Sequence, residues 1–107
     1  MAKENYKEIF RLKEMLEKAG IPFVFKEFND FRDGFQILYP EGNTKEEQKN
    51  VCSVIEHIFS YGNEVDKLEI MGLLTDEESE FDTVKGFLSA ENVFERIQNH
   101  FNTVKKE

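Results

Sequence analysis

The sequence predicts a single α+β domain, in which an N-terminal and a C-terminal helix pack on one face of an antiparallel sheet of about four strands. Three observations predict this fold. Apolar residues recur at helical spacing near both ends of the 107-residue chain, and they alternate with polar residues along its middle. Between two alternating runs, Asp33-Gly34 is a strong signal for a hairpin turn.

The first helix is predicted over "NYKEIFRLKEMLEKAG". Asn5 and Glu8 have the spacing of a capping box at its start. Gly20 stands where a helix often ends in a left-handed residue, and Pro22 prevents continuation. The apolar stripe of this helix is made by Ile9, Leu12, Met15, Leu16 and Ala19.

A first hairpin is predicted from "IPFVFKEF" and "FQILYP", ending at Pro40, because side chains of alternating character follow each other in both runs. The intervening Asn29–Gly34 resembles the start of a calcium-binding loop. Phe31 and Pro40 stand where that loop needs ligands, so a plain turn is the interpretation.

The polar stretch Glu41–Asn50 predicts an exposed connection. The next stretch, Val51–Tyr61, is rich in β-branched and aromatic residues, which favours a strand. Thr44 and Glu47 also have capping-box spacing, and the apolar residues that follow keep helical spacing. A helix over about 45–61 is therefore the alternative.

A second hairpin is predicted to pair Val51–Tyr61 with Asp66–Leu74 across a four-residue loop, Gly62–Val65. This register avoids the juxtaposition of Glu56 and Glu69 that a two-residue turn would produce. It places Phe59 opposite Leu68 and His57 opposite Ile70. The two faces of this hairpin then carry Ile55, His57, Phe59, Tyr61, Leu68, Ile70 and Leu74 on one side, and Cys52, Val54, Glu56, Ile58, Lys67, Glu69, Met71 and Leu73 on the other.

The C-terminal third predicts two helices separated by a short extended piece. Thr75 and Glu78 form a capping box for a short helix, and "TVKGFL" is extended. Ser89 caps the last helix. The apolar stripe of that helix is made by Val93, Phe94, Ile97, Phe101 and Val104.

Composition narrows the classes of partner. The 22 acidic residues outnumber the 14 basic ones, and the resulting net charge of −8 repels nucleic acid and anionic lipid. Cys52 is the single cysteine, so neither an intramolecular disulfide nor a multi-cysteine zinc site is expected. The first residues lack the apolar run of a signal peptide, and no stretch is long and apolar enough to span a membrane. We therefore expect a cytoplasmic protein.

Four side chains in the middle of the chain are candidates for chemistry. Cys52 and His57 are a thiol and a base, but five residues along a strand place them on opposite faces. A small buried hydrophobe and a hydrogen-bonded histidine are the simpler interpretation. Glu56 and Glu69 share a face of the predicted hairpin, where paired carboxylates serve acid–base or metal chemistry. A solvated face with Lys67 explains them equally well.

Further candidates lie towards the C-terminus. His100 lies on the terminal helix next to Phe101 and is expected to be exposed or stacked. The acids Asp76, Glu77, Glu78, Glu80 and Asp82 match neither a calcium loop nor a facial triad, and helix capping accounts for them. No phosphate-binding loop, nucleophile elbow or basic aromatic stripe occurs. We expect no catalytic residue, metal site or cofactor.

Several motifs carry a resemblance to a known family. The stretches "LKEMLEKAGIPF", "FQILYP", "VCSVIEHIFSYGNE", "LEIMGLLTDEE" and "GFLSAENVFERI" resemble, in this order, a family of small proteins encoded by phages and prophages of Gram-positive bacteria. The likeness extends from about Leu12 to Ile97. It implies a mobile-element product in the host cytoplasm, and it implies no reaction, cofactor or catalytic residue.

Three functions fit these observations. The first is a non-catalytic phage accessory protein that acts by binding another protein, with a homodimer as one form of that interaction. The second is an acidic inhibitor that mimics nucleic acid, and the third is a hydrolase with an unrecognised site. The tip of the second hairpin, Tyr61, Gly62, Asn63 and Glu64, is the candidate partner-binding site. Alternatively, Gly62 and Asn63 only form the turn while Tyr61 packs beside Phe59.

Overall fold

The computed structural model describes residues 2–41 and 51–105. Within them, one five-stranded antiparallel sheet is combined with three α-helices. The elements are α1 (Glu8–Ala19), β1 (Val24–Phe28), β2 (Gly34–Tyr39), β3 (Cys52–His57), β4 (Leu68–Met71), α2 (Asp76–Phe81), β5 (Val84–Leu88) and α3 (Ala90–Lys105), with short 3₁₀ turns at Ala2–Asn5 and Asn63–Val65. The predicted α+β class is confirmed.

The strands follow one another across the sheet in chain order, β1-β2-β3-β4-β5, and all neighbours are antiparallel. The first hairpin forms as expected, with Phe28 paired to Gly34. Asp33 adopts a φ of +46°, the positive value that an Asp-Gly turn supplies. The extended piece "TVKGFL" becomes the fifth strand, one more than the sequence predicts.

The two long helices lie side by side on one face of the sheet, where they cover its central strands. This arrangement confirms that both apolar stripes point to a common core. Gly20 ends α1 in the left-handed conformation, with φ at +70°. Among the described residues, the completely buried apolar side chains are Ile9, Leu12 and Leu16 of α1, Ala90, Val93 and Ile97 of α3, and Ile37, Val54, Leu68 and Ile70 of the sheet.

The observed register of the second hairpin differs from the predicted one. Val54 rather than His57 lies opposite Ile70, because β3 ends at His57 and the whole of residues 58–67 forms the connection. Ser60 accepts a hydrogen bond from the His57 backbone and bends the chain away before Phe59 can join the strand. The predicted assignment of faces was therefore wrong.

The helical alternative for the same segment is excluded where the chain is described, because Cys52–His57 is a strand. The proposed capping pair Thr44 and Glu47 lies outside the described residues. Further along, the Thr75–Glu78 capping box is confirmed by hydrogen bonds of 3.1 and 2.9 Å. The side chain of Ser89 accepts from the Asn92 N–H at 3.1 Å, as a cap of α3 should. None of the described helices is long and apolar enough to cross a bilayer.

Candidate functional site

Cys52 and His57 do not form a catalytic pair. Cys52 is buried in the core, and burial raises the pKa of its thiol to about 12. His57 lies at the other end of β3 and faces the opposite side of the sheet. Its Nδ1 accepts a hydrogen bond from the Phe59 N–H at 3.1 Å. The thiol remains protonated, and no base among the described residues forms a hydrogen bond with it, so it acts as a small core residue.

Glu56 and Glu69 also lie apart, which corrects the prediction that they share a face. Ile55 pairs with Glu69 across the sheet, so the neighbouring Glu56 points to the helix-covered face. Glu69 is largely buried on the other face, where it accepts a hydrogen bond from the Tyr61 N–H at 2.8 Å. These two carboxylates cannot act on one substrate.

Glu56 instead meets a different acid, Asp66. Its side chain is completely buried, and Oε1 accepts a hydrogen bond from the Ile9 N–H at 3.2 Å. Burial, followed by a hydrogen bond to Asp66, raises the pKa of Glu56 to about 9. No hydrogen-bond partner of its other oxygen, Oε2, is found among the described residues. Glu56 is therefore a neutral carboxylic acid at pH 7.

Asp66 is the ionised member of this pair, and it caps helix α1 from a distant part of the chain. It accepts hydrogen bonds from the N–H groups of Lys7 at 2.9 Å and Glu8 at 3.0 Å. Burial opposes its ionisation, but the hydrogen bonds from Glu56 and from these backbone groups lower the pKa of Asp66. A carboxylate is also favoured by the dipole at the start of a helix.

Glu8 extends the network to the other long helix. Its Oε2 accepts from the Ala90 N–H at 2.6 Å, at the start of α3, and its Oε1 is paired with Arg11 at 2.7 Å. The predicted capping box of Asn5 and Glu8 was therefore wrong, because Glu8 is turned towards α3. Together, these three acids accept hydrogen bonds from backbone N–H groups at the starts of α1 and α3. Glu56 is inaccessible, so the network is structural.

The two remaining sequence candidates are structural as well. The imidazole of His100 forms a hydrogen bond of 2.8 Å with the buried hydroxyl of Tyr39 and meets its ring edge-on. In the acidic stretch 76–82, both carboxylate oxygens of Glu78 bind Arg96. Among the described residues, no group of three or more His, Cys, Asp or Glu side chains is arranged to hold a metal ion.

A surface pocket of about 590 Å³ lies beside strand β5, and we call it the edge pocket. It lies between α2, β5 and the loop that precedes β4. Three aromatic residues line it, and each is mostly exposed: Tyr61 at 56%, Phe81 at 83% and Phe87 at 64%. The carboxylates of Glu77 and Asp82 also line it. Exposed aromatic rings gathered in one concave surface are typical of a binding site.

Tyr61 is held in this pocket by its main chain. Its carbonyl accepts a hydrogen bond from the Phe87 N–H at 3.3 Å, and its Cβ lies against Gly86. A Cβ at Gly86 would come within 2.3 Å of the Tyr61 Cβ, so this close approach requires glycine. The backbone of Tyr61 is thus fixed while its ring is free to contact a partner.

The other predicted partner-binding residues have different surroundings. Gly62 is buried and has a φ of +98°, and Asn63 donates to the Ser60 carbonyl and accepts from the Tyr6 hydroxyl. Both build the loop rather than a surface. Glu64 is exposed but does not line the edge pocket. Only Tyr61 of the four predicted residues lines it.

Sequence reasoning missed Phe81 and Phe87. Phe81 belongs to the predicted short acidic helix and Phe87 to the predicted extended piece "TVKGFL", and neither was among the predicted site residues. One local signal was present, since Phe81 lies among acids on a helix too short and polar to bury it. Phe87 gives no such signal, because its φ of +60° is set by the bulge between β4 and β5.

Comparisons with known proteins add no assignment. No protein-family model matches the chain, and neither a curated protein nor a solved structure matches it significantly. The resemblance to small phage proteins stays a prediction.

Proposed function

We propose that this chain is a non-catalytic protein-interaction module and that the edge pocket is its recognition surface. The observation that carries the proposal is that three mostly exposed aromatic residues, from three different elements, line one pocket. Tyr61 comes from a loop, Phe81 from α2 and Phe87 from β5. Aromatic residues dominate the binding energy of protein interfaces, and the volume falls within the range of ligand pockets, roughly 300–1,000 Å³.

The backbone of Phe87 supports this proposal. A positive φ costs a residue with a Cβ roughly 1–2 kcal/mol, and glycine would avoid that cost. The Phe87 ring is mostly exposed, so burial in the core does not offset the strain. The bulge between β4 and β5 accounts for this backbone conformation, but it does not require a phenylalanine at residue 87, and an exposed ring there suits recognition.

Charge defines the class of partner. Within the described residues, Glu77 and Asp82 of the edge pocket form no ion pair. The net charge of −8 attracts cations over a longer range. We propose a protein partner that presents a basic segment to the pocket, with no cofactor and no direct contact with nucleic acid or membrane. In line with the resemblance, the chain would act as a phage or prophage accessory protein in the bacterial cytoplasm.

A displayed library of random linear peptides tests this proposal. Peptides selected on the wild-type protein should be rich in Lys, Arg and large apolar residues. They should bind equally well to Phe31→Ser, a matched control whose ring is 75% exposed but lies outside the pocket. They should lose binding to Phe87→Gly. No enrichment on the wild type, or equal retention on all three proteins, would overturn the proposal.

Tyr61→Ala gives the quantitative version of this test. The substitution keeps the Cβ that packs on Gly86 and removes only the exposed ring. It should weaken binding of a selected peptide by about 2 kcal/mol, the usual cost of losing an interface hot spot, and should leave the melting temperature nearly unchanged. Lower stability with unchanged affinity would show that Tyr61 is only structural.

A further inference from the structure

The edge pocket runs along the free edge of a strand. β5 is the last strand in the sheet order, so within the described chain it is paired with β4 alone. Four consecutive residues of β5, from Val84 to Phe87, line the pocket. The pocket therefore extends along most of β5, and the bulge at Gly86 and Phe87 interrupts the alternation of side chains there.

Gly86 makes this edge approachable. It has no side chain, and the side towards Tyr61 is already filled, so its exposed part is main chain. The edge of a sheet offers unpaired N–H and C=O groups that a further strand can bind. The Phe87 N–H is already bonded to Tyr61, which leaves the segment 84–86 as the available edge.

The side chains around this edge suit cationic residues. Aromatic faces attract Lys and Arg through the ring quadrupole, and their aliphatic stems pack on apolar surface. Glu77 and Asp82 supply carboxylates for the charged ends. Lys85 is the one basic residue in the lining, and its charge makes a small contribution to the lowered pKa of Glu78, after the stronger effect of Arg96.

We infer that the occupant of the edge pocket is an extended basic segment of a partner protein, which adds a sixth strand to β5 and places alternate Lys or Arg side chains among Tyr61, Phe81 and Phe87. This inference rests on the proposed function and specifies its partner. Strand addition combines main-chain hydrogen bonds for affinity with alternate side-chain pockets for specificity. A helical segment would satisfy the rings but would leave the edge of β5 unpaired.

Backbone methylation of a synthetic peptide tests the inference. The probe is a seven-residue peptide of alternating Arg and Val, with a fluorescent label, titrated with the full chain and followed by anisotropy. Two matched copies carry N-methyl groups on the Arg residues alone or on the Val residues alone. Successive N–H groups of a strand point to opposite edges, so only one of the two copies should lose affinity, by tenfold or more. The unmethylated peptide should also slow hydrogen exchange in β5.

Three results would overturn the inference. No binding of the Arg-Val peptide, while library peptides still depend on Phe87, would reject the extended basic segment and leave the proposed function intact. Equal responses of the two methylated copies would reject strand addition. A concentration-dependent dimer that Phe87→Gly dissociates, and that the peptide displaces, would identify a second copy of this chain as the occupant. Failure of the library selection itself would instead reject the proposed function.

Discussion

Glu56 and Asp66 form a carboxyl–carboxylate pair beneath the first turn of α1, in which Glu56 holds the proton and Asp66 the charge. A protonated carboxyl group can donate to an ionised one, whereas two ionised groups in a buried site would repel each other. The pair therefore places one negative charge, on Asp66, at the N-terminus of α1, while Glu56 beside it is neutral.

The protonation of Glu56 predicts a specific dependence of stability on pH. The pKa is raised from 4.5 in the unfolded chain to about 9 in the fold, so the folded state binds more protons between these values. The contribution of Glu56 is fully present below about pH 4.5 and is lost as the pH rises through about 9. Glu56→Gln keeps an acceptor and a donor but cannot ionise.

Denaturant titrations at pH 5, 7 and 9 measure this difference. The free energy of unfolding of the wild type should fall relative to Glu56→Gln, by at most about 1.4 kcal/mol per pH unit, which corresponds to one proton. Parallel curves for the two proteins would contradict the assignment and show that Glu56 is ionised in the fold.

The cap supplied by Asp66 predicts a graded response to substitution. Asp66→Ala removes the acceptor of the Lys7 and Glu8 N–H groups, and it places a residue without a polar side chain at a φ of +56°. The free energy of unfolding should fall by about 2 kcal/mol. Asp66→Asn keeps an oxygen acceptor and tolerates this φ, so its loss should be smaller. Equal losses would mean that the charge, rather than the cap, is what matters.

The pairing of Arg96 with Glu78 fixes α2 beside the edge pocket. Hydrogen bonds from Arg96 lower the pKa of Glu78 to about 2, so the stability they contribute is present above about pH 4.5 and is lost as the pH falls towards 2. Arg96→Met keeps the apolar stem and should lower the free energy of unfolding at pH 7 by about 2 kcal/mol.

Hydrogen exchange gives a second measurement of this pairing. Arg96 also donates to the Leu73 carbonyl at 2.9 Å, which ties the turn before α2 to α3. The amides of α2 should therefore exchange faster in Arg96→Met than in the wild type, while those of β2 should not change. Uniform acceleration across both elements would indicate global destabilisation instead.

Because the backbone of Phe87 is strained, we expect the substitution Phe87→Gly to weaken binding without lowering stability. Phe87→Gly removes the cost of the positive φ, and the greater freedom of glycine in the unfolded chain offsets part of the gain. The free energy of unfolding should stay the same or rise by up to about 1 kcal/mol, measured by denaturant titration beside Phe31→Ser. A clear loss of stability would show that the Phe87 ring packs on the fold.

Local signals account for the parts of the fold that the sequence predicted well. The Asp33-Gly34 turn and the Thr75–Glu78 box each depend on residues within four positions of one another, and both form. The apolar stripes of α1 and α3 likewise need only the helical repeat to identify their buried faces.

The missed features depend on residues far apart in the chain. The register of β3 and β4 was decided by the Ser60 bend, which competes with the strand propensity of Phe59 and its neighbours. The acids Glu56, Asp66 and Glu8 look like surface charges in the sequence, because the backbone N–H groups that donate to them lie in other elements. For the edge pocket, Tyr61 was predicted from its position near a loop tip. Phe81 and Phe87 join it only through the placement of α2 and β5.

The capping carboxylates are far along the sequence from the helices they cap, and this has a consequence for synthesis of the chain. Asp66 lies 58 residues after Glu8, so the first turn of α1 has no cap until most of the protein has been made. Glu8 lies 82 residues before Ala90, and its carboxylate is therefore already available when α3 leaves the ribosome. The helix that is translated first is completed late, whereas the helix that is translated last can be capped as soon as it forms.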